Sequence, residues 1–282
     1  MILANYSPAE RAFANYVVLH LRNFASVIDV TRFVNRHKWS SQKLMELYMD
    51  VLWDSPAIFH VSRSIQFQAE RYSDGTVSFA KLTGIKYAIS KSEYQECKLK
   101  LEAEVKKATA CAAGESAPEM IALRLHDYIV RVCDYDLDAA ERHDDSPLAR
   151  TVYSVLVRKK AVCEGYTMAY RHLLQQFNIM SEEILSDEMK HCWNYVNIRG
   201  KWYHVDVTFD DPVFIGEDGG PLARGGAFLA RAVSGISREH FLMSDDKARR
   251  TDHYGWTTKG LPPADDKTFD NRIWCCFKDF RI

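Results

Sequence analysis

Apolar positions recur at spacings of three and four over residues 8–28, where Phe13, Tyr16, Val17, Leu21 and Phe24 share a stripe, and again over residues 40–53. That period predicts two amphipathic helices. The period then changes. Residues 65–89 read as two strands, IQFQAERY and TVSFAKLTGIKYAI, joined by Ser73-Asp74-Gly75, and Asp-Gly between β-like runs is a strong hairpin signal. A long helix over about residues 92–111 follows, its Lys and Glu side chains forming a solvated face.

Residues 112–119, AAGESAPE, are the expected boundary, with Gly ending one helix and Ser-x-Pro-Glu starting the next. Residues 1–115 then form a smaller α/β region of unassigned role, and residues 116–282 a second domain. Within that domain the pattern predicts helices over residues 118–133 and 147–158, a helix after Cys163, and three β-like runs between Glu183 and Phe209. The glycine-rich residues 216–226 read as a surface loop.

The segment AVCEGYTMAYRHLLQQFNI places Tyr166, Ala169, Tyr170, Leu173, Leu174 and Phe177 on one buried helix face. Cys163 lies three residues before Tyr166, on the extension of that stripe, at the helix N-terminus. Unpaired N–H groups and the positive end of the dipole there favour thiolate over thiol. The same N–H groups can receive an oxyanion, and Gly165 permits close approach of backbone or substrate.

The segment KHCWNYVNIRGKWYHVDVTFDDP reads as two strands around Arg199-Gly200. A two-residue turn pairs Ile198 with Lys201, which sets His191 opposite Thr208 and Trp193 opposite Asp206. Side chains alternate, so His191, Trp193, Tyr195, Trp202, His204, Asp206 and Thr208 share a face, and Val196, Ile198, Tyr203, Val205, Val207 and Phe209 form a core surface behind it. His191 and Asp206 become diagonal neighbours roughly 7–8 Å apart at the backbone. A thiol, an imidazole to take its proton and a carboxylate to orient the ring are what thiol nucleophilic catalysis requires. Cys163, His191 and Asp206 are accordingly the candidate catalytic residues. Asp210-Asp211 before Pro212 reads as a strand-ending turn.

These segments, KAVCEGYTMAYRHLL and HCWNYVNIRGKWYHVDVTFDDP, with LHDYIVRVCDYD before them and HFLMSD after, resemble the bacterial branch of the transglutaminase-like superfamily over about residues 118–250. The resemblance implies an α+β fold, with a papain-like core of helices packed on an antiparallel sheet. It implies a cysteine-dependent acyl-transfer enzyme that acts on amide bonds of peptides or proteins through a thioester, with Cys163, His191 and Asp206 in the catalytic positions. Peptide hydrolysis is expected over transamidation, which demands an additional acceptor site; a silent module binding protein or glycan is the alternative. Cys192 departs from the family's usual small residue between His and Trp. Tyr135 is the candidate for the aromatic that transglutaminases place near the oxyanion.

Composition narrows the remaining classes. With 37 basic and 38 acidic residues the chain carries a net charge of −1, so nothing attracts a phosphate backbone and nucleic acid is not an expected partner. No run approaches the ~18–20 apolar residues of a membrane span, and the N-terminus alternates polar with apolar, reading as a first helix and not a signal peptide. Seven scattered cysteines suit a reducing, cytoplasmic compartment. The candidate ligand types Cys163, His191, Cys192, His204 and Asp206 lack metal-site spacing, and neither metal nor cofactor is expected. Vicinal Cys275 and Cys276 read as neighbours on a final strand.

Overall fold

The computed structural model describes residues 6–71, 73, 77–142, 146–211, 236–258 and 260–274. Asp74 and Gly75 of the expected hairpin turn, the loop at 216–226 and Cys275-Cys276 lie outside them. The chain forms two units, Met1–Lys100 with Asp144–Leu148, and Leu101–His143 with Ala149–Ile282.

In the first unit, α1 (Pro8–Arg22), α2 (Thr31–His37) and α3 (Ser41–Asp54) accompany an antiparallel sheet of β1 (Ile28–Asp29), β2 (Gln66–Arg71) and β3 (Val77–Thr83) in the order β1-β3-β2. A Ser7/Glu10 capping box starts α1. The apolar period over 8–28 overshoots its end: Phe24 takes a positive φ of 61°, the helix stops at Arg22, and Ile28 joins a strand. Phe13, Val17 and Leu21 of α1 meet Leu44, Tyr48 and Val51 of α3 in one core, closed by Ile28 and Leu82. The helix α4 (Lys91–Ala110) continues the chain.

The second unit contains α5 (Pro118–Val132), β4 (Asp134–Tyr135) and α6 (Leu137–Glu141). The single helix expected over 147–158 is instead α7 (Pro147–Arg150) and a π-type turn, Ser154–Arg158, ended by Lys159 at φ 61°. Then come β5 (Lys160–Ala161), α8 (Cys163–Gln175), β6 (Ser181–Ser186), β7 (His191–Ile198), β8 (Lys201–Val205), α9 (Asp245–Arg250) and β9 (Trp256–Thr257). The last four strands form an antiparallel sheet in the order β8-β7-β6-β9, and β4 pairs with β5 in parallel. The expected stripe on α8 is buried from Tyr166 to Leu174, and Tyr170 donates through its hydroxyl to Ala122 O of α5 at 3.0 Å. With its helices and antiparallel sheets the fold is α+β. No helix of the described residues is long and apolar enough to cross a membrane.

Candidate active site

Cys163 is the first residue of α8, and its N-cap, Val162, offers no side-chain hydrogen bond to the helix. No side-chain cap therefore competes for the N–H groups of Cys163 and Glu164, while Gly165 N–H donates to Val162 O at 2.9 Å, and the dipole acts on the sulfur. The tip is held from behind. Val162 N–H donates to Ala149 O at 2.9 Å, and a Cβ on Gly165 would stand 2.8 Å from Ala161 Cβ and 3.0 Å from Ser154 Oγ. Gly165 is thus required by packing against its own unit, where the sequence suggested room for backbone or substrate.

The β7–β8 hairpin has the register that the two-residue turn implies, from Ile198↔Lys201 to Asn194↔Val205. Arg199 and Gly200 take φ of 52° and 86°, the left-handed pair such a turn needs. Beyond Val205 the ladder ends, so His191 never faces Thr208 across it. Asp206 instead opens a tight turn: Oδ1 accepts from the N–H of Thr208 at 2.9 Å and of Phe209 at 3.0 Å, and its own N–H donates to His240 O. That turn swings Phe209 out of the core surface assigned to it. Phe209 is 40% exposed and stacks on the His191 ring at 4.8 Å, while Trp193 stacks on the same ring at 5.7 Å.

His191 Nε2 donates to Asp206 Oδ2 at 2.6 Å, which leaves Nδ1 as the ring nitrogen for another partner. His191 and Cys192 are the side chains that act most strongly on the ionisation of the Cys163 thiol. Cys192, working against burial and joined by His191, pulls the Cys163 thiol well below the ordinary thiol range. Cys192 moves the opposite way, pushed up by Cys163 and by burial. Burial disfavours charge on His191, but Asp206 and Cys163 outweigh it and raise the imidazole to about 10. Asp206 is driven far down despite full burial, by His191 and His253 together. The combination favours a thiolate–imidazolium pair. Tyr135, paired with Ala161 two residues before Cys163, is raised to about 12 by burial and by the negative charge of Cys163 and Asp206, so its hydroxyl keeps its proton.

Several groups at this site escaped the sequence reading. His253, outside any segment singled out, is fully buried and reaches Asp206 Oδ2 through Nε2 at 3.0 Å. His204 joins Trp193 to α9: the indole N–H donates to His204 Nδ1 at 2.9 Å, and Nε2 donates to Asp245 at 2.8 Å. Burial lowers His204, consistent with the neutral ring this arrangement uses. Asp210-Asp211 is more than a turn. Asp210 is buried between His126 at 3.1 Å and His240 at 3.0 Å, and Asp211 accepts from the Tyr166 hydroxyl. One signal was available for His126: it falls on the apolar stripe of α5, where an imidazole needs polar partners. Among the described residues no group of three or more His, Cys, Asp and Glu side chains is placed to hold a metal ion.

Residues 105–207 match the model of the Transglutaminase-like superfamily. This segment is transglutaminase-like. It contains Cys163, His191 and Asp206, whereas Asp210, His240 and His253 follow the matched residues. Among solved structures, the chain is similar to a TGase at 12% identity and a TM-score of 0.36, over 64% of this chain and 50% of that one. A candidate cysteine protease from Cytophaga hutchinsonii follows at 13% identity and a TM-score of 0.32, over 52% and 63% of the two chains. A candidate protease from Parabacteroides distasonis follows at 11% identity and a TM-score of 0.30, over 51% and 36%. The chain thus spans half the length of the TGase. No curated protein matches it.

Proposed function

We propose that this protein is a cysteine-dependent acyl-transfer enzyme acting on amide bonds of peptides or proteins. One observation supports this above all: the imidazole of His191, held by the buried carboxylate of Asp206 at 2.6 Å, acts on the ionisation of a thiol that sits at a helix tip without a side-chain cap. The Cys163 thiolate attacks the amide carbonyl, and the leading N–H groups of α8, with the Tyr135 hydroxyl, receive the oxyanion. The imidazolium of His191 gives its proton to the departing amine, leaving a thioester. Water then attacks, His191 takes its proton, and the acid and thiol are released. Asp206 keeps the ring oriented and supports its charge in both halves.

Hydrolysis is favoured over transfer to a second amine because transfer needs a separate acceptor site and exclusion of water. Two measurements test this. Iodoacetamide near neutral pH should alkylate Cys163 stoichiometrically and selectively, and His191→Ala should abolish that selectivity. A peptide library incubated with a labelled amine should yield cleavage products in excess of amine-tagged ones. Equal, sluggish labelling of every thiol would sink the enzyme reading in favour of a silent module that binds protein or glycan.

A further inference from the structure

Asp206 has no exposed surface, and both of its oxygens are engaged. Oδ1 is fixed by the N–H groups of Thr208 and Phe209 at 2.9 and 3.0 Å. Oδ2 carries His191 at 2.6 Å and a second imidazole, His253, at 3.0 Å. With Oδ1 tied to the main chain, the freedom left to the carboxylate is rotation that would swing Oδ2 away from His191. The His253 ring opposes that rotation from a rigid seat. It is fully buried, its Nδ1 faces Thr251 O at 2.8 Å, and it lies edge-on to Trp193 at 4.9 Å and against Phe209 at 4.8 Å.

We propose that His253 is a positioning residue for the reaction, a fourth member of the series that runs from Cys163 through His191 to Asp206. It rests on the reading of Cys163 as nucleophile. His253 acts only through Asp206: it pins the oxygen that orients His191, and so sets how firmly the imidazolium is supported. Among the described residues, the charged and titratable groups around this series on the thiol side are Cys192, Tyr135, Glu164, Glu183 and Arg150. On the far side stands His240, 5.4 Å from His253 and bound to Asp210 at 3.0 Å. Loss of this support costs rate and not affinity, because misorientation of the base matters when the proton moves.

The test compares His253→Leu, which removes the donor, His253→Gln, whose amide N–H takes the place of Nε2, and His253→Asn, whose amide aligns with Nδ1. Readouts are kcat and KM on the cleaved peptide and the pH profile of Cys163 alkylation, each per folded molecule by circular dichroism. His253→Leu should lose about tenfold to hundredfold in kcat with KM unchanged. Its alkaline limb of alkylation should move to lower pH, because a less firmly held Asp206 supports the imidazolium less. His253→Gln should recover most of the rate, and His253→Asn little. A Leu variant with wild-type kcat and profile, or Gln and Asn variants of equal activity, would overturn the proposal; the Gln–Asn comparison decides even if the Leu variant does not fold. Failure of wild-type Cys163 to react selectively would instead overturn the nucleophile reading, and this proposal with it.

Discussion

At the scale of single residues, the site is governed by which hydrogen bonds each ionised form keeps. Asp206→Asn preserves shape but removes the charge that supports His191, and its amide can present the wrong hydrogen-bonding face to the ring. A fall in kcat of about 10²- to 10⁴-fold is expected, checked by steady-state kinetics at saturating peptide. Cys192 is a finer control. It lowers the Cys163 thiol, so Cys192→Ala should shift the acid limb of Cys163 alkylation to higher pH, while Cys192→Ser, which keeps a polar hydrogen, should shift it less. Alkylation rates measured across pH decide this, and an unmoved limb in the Ala variant would refute the assignment. Residue chemistry was legible for Cys163, because a stripe of apolar spacing ran directly into it. It was not legible for His253, whose meaning depends on a contact across 47 positions of sequence.

At the scale of elements, α8 and the β7–β8 hairpin each deliver one half of the site. Gly165 sits where the tip of α8 meets Ala161 and Ser154, and a methyl group added there would stand only 2.8 Å from the nearest side chain. Gly165→Ala should therefore destabilise by about 1–3 kcal/mol through overpacking. It should also lower the alkylation rate of Cys163 in molecules that remain folded; thermal melting and the labelling rate separate the two effects. The hairpin register followed from Arg199-Gly200 alone, since a two-residue turn fixes every pair that follows it. The reading failed where pairing stopped. After Val205 alternation no longer applies, and the Asp206 turn placed Phe209 against His191 and buried Asp210, both contrary to a continued strand. The same limit appears at residues 147–158, where helical spacing continued through a π-type turn that packing, not period, imposed.

At the scale of the whole molecule, buried histidine–carboxylate contacts tie stability to pH. Burial opposes charge on His126, but Asp127 and Asp210 raise it from 6.5 to about 9, so its stabilising contribution is full below about 6.5 and is lost as pH rises through about 9. Asp127, Asp206 and Asp210 are all lowered from 3.8, so theirs is present above that value and lost as pH falls below it. Melting temperature should hold a plateau between these limits and decline on both sides. His126→Gln should flatten the alkaline decline while costing about 1–3 kcal/mol, because Asp127 and Asp210 each lose one partner and keep Arg238 and His240. A melting temperature that is flat from about pH 6 to about pH 10 in the wild type would contradict this. The sequence by itself determined the amphipathic faces, the hairpin register and the candidates Cys163, His191 and Asp206, because period, turn chemistry and helix-end electrostatics are local properties, and its family resemblance carried the α+β class. Only tertiary structure decided that Cys192 acts on Cys163, that Phe209 stacks on the imidazole, and that Asp206 shares its Oδ2 with the buried His253 while Asp210 lies between His126 and His240. Those contacts join segments far apart in the chain, and which buried polar group finds which partner is set by packing that no local pattern encodes.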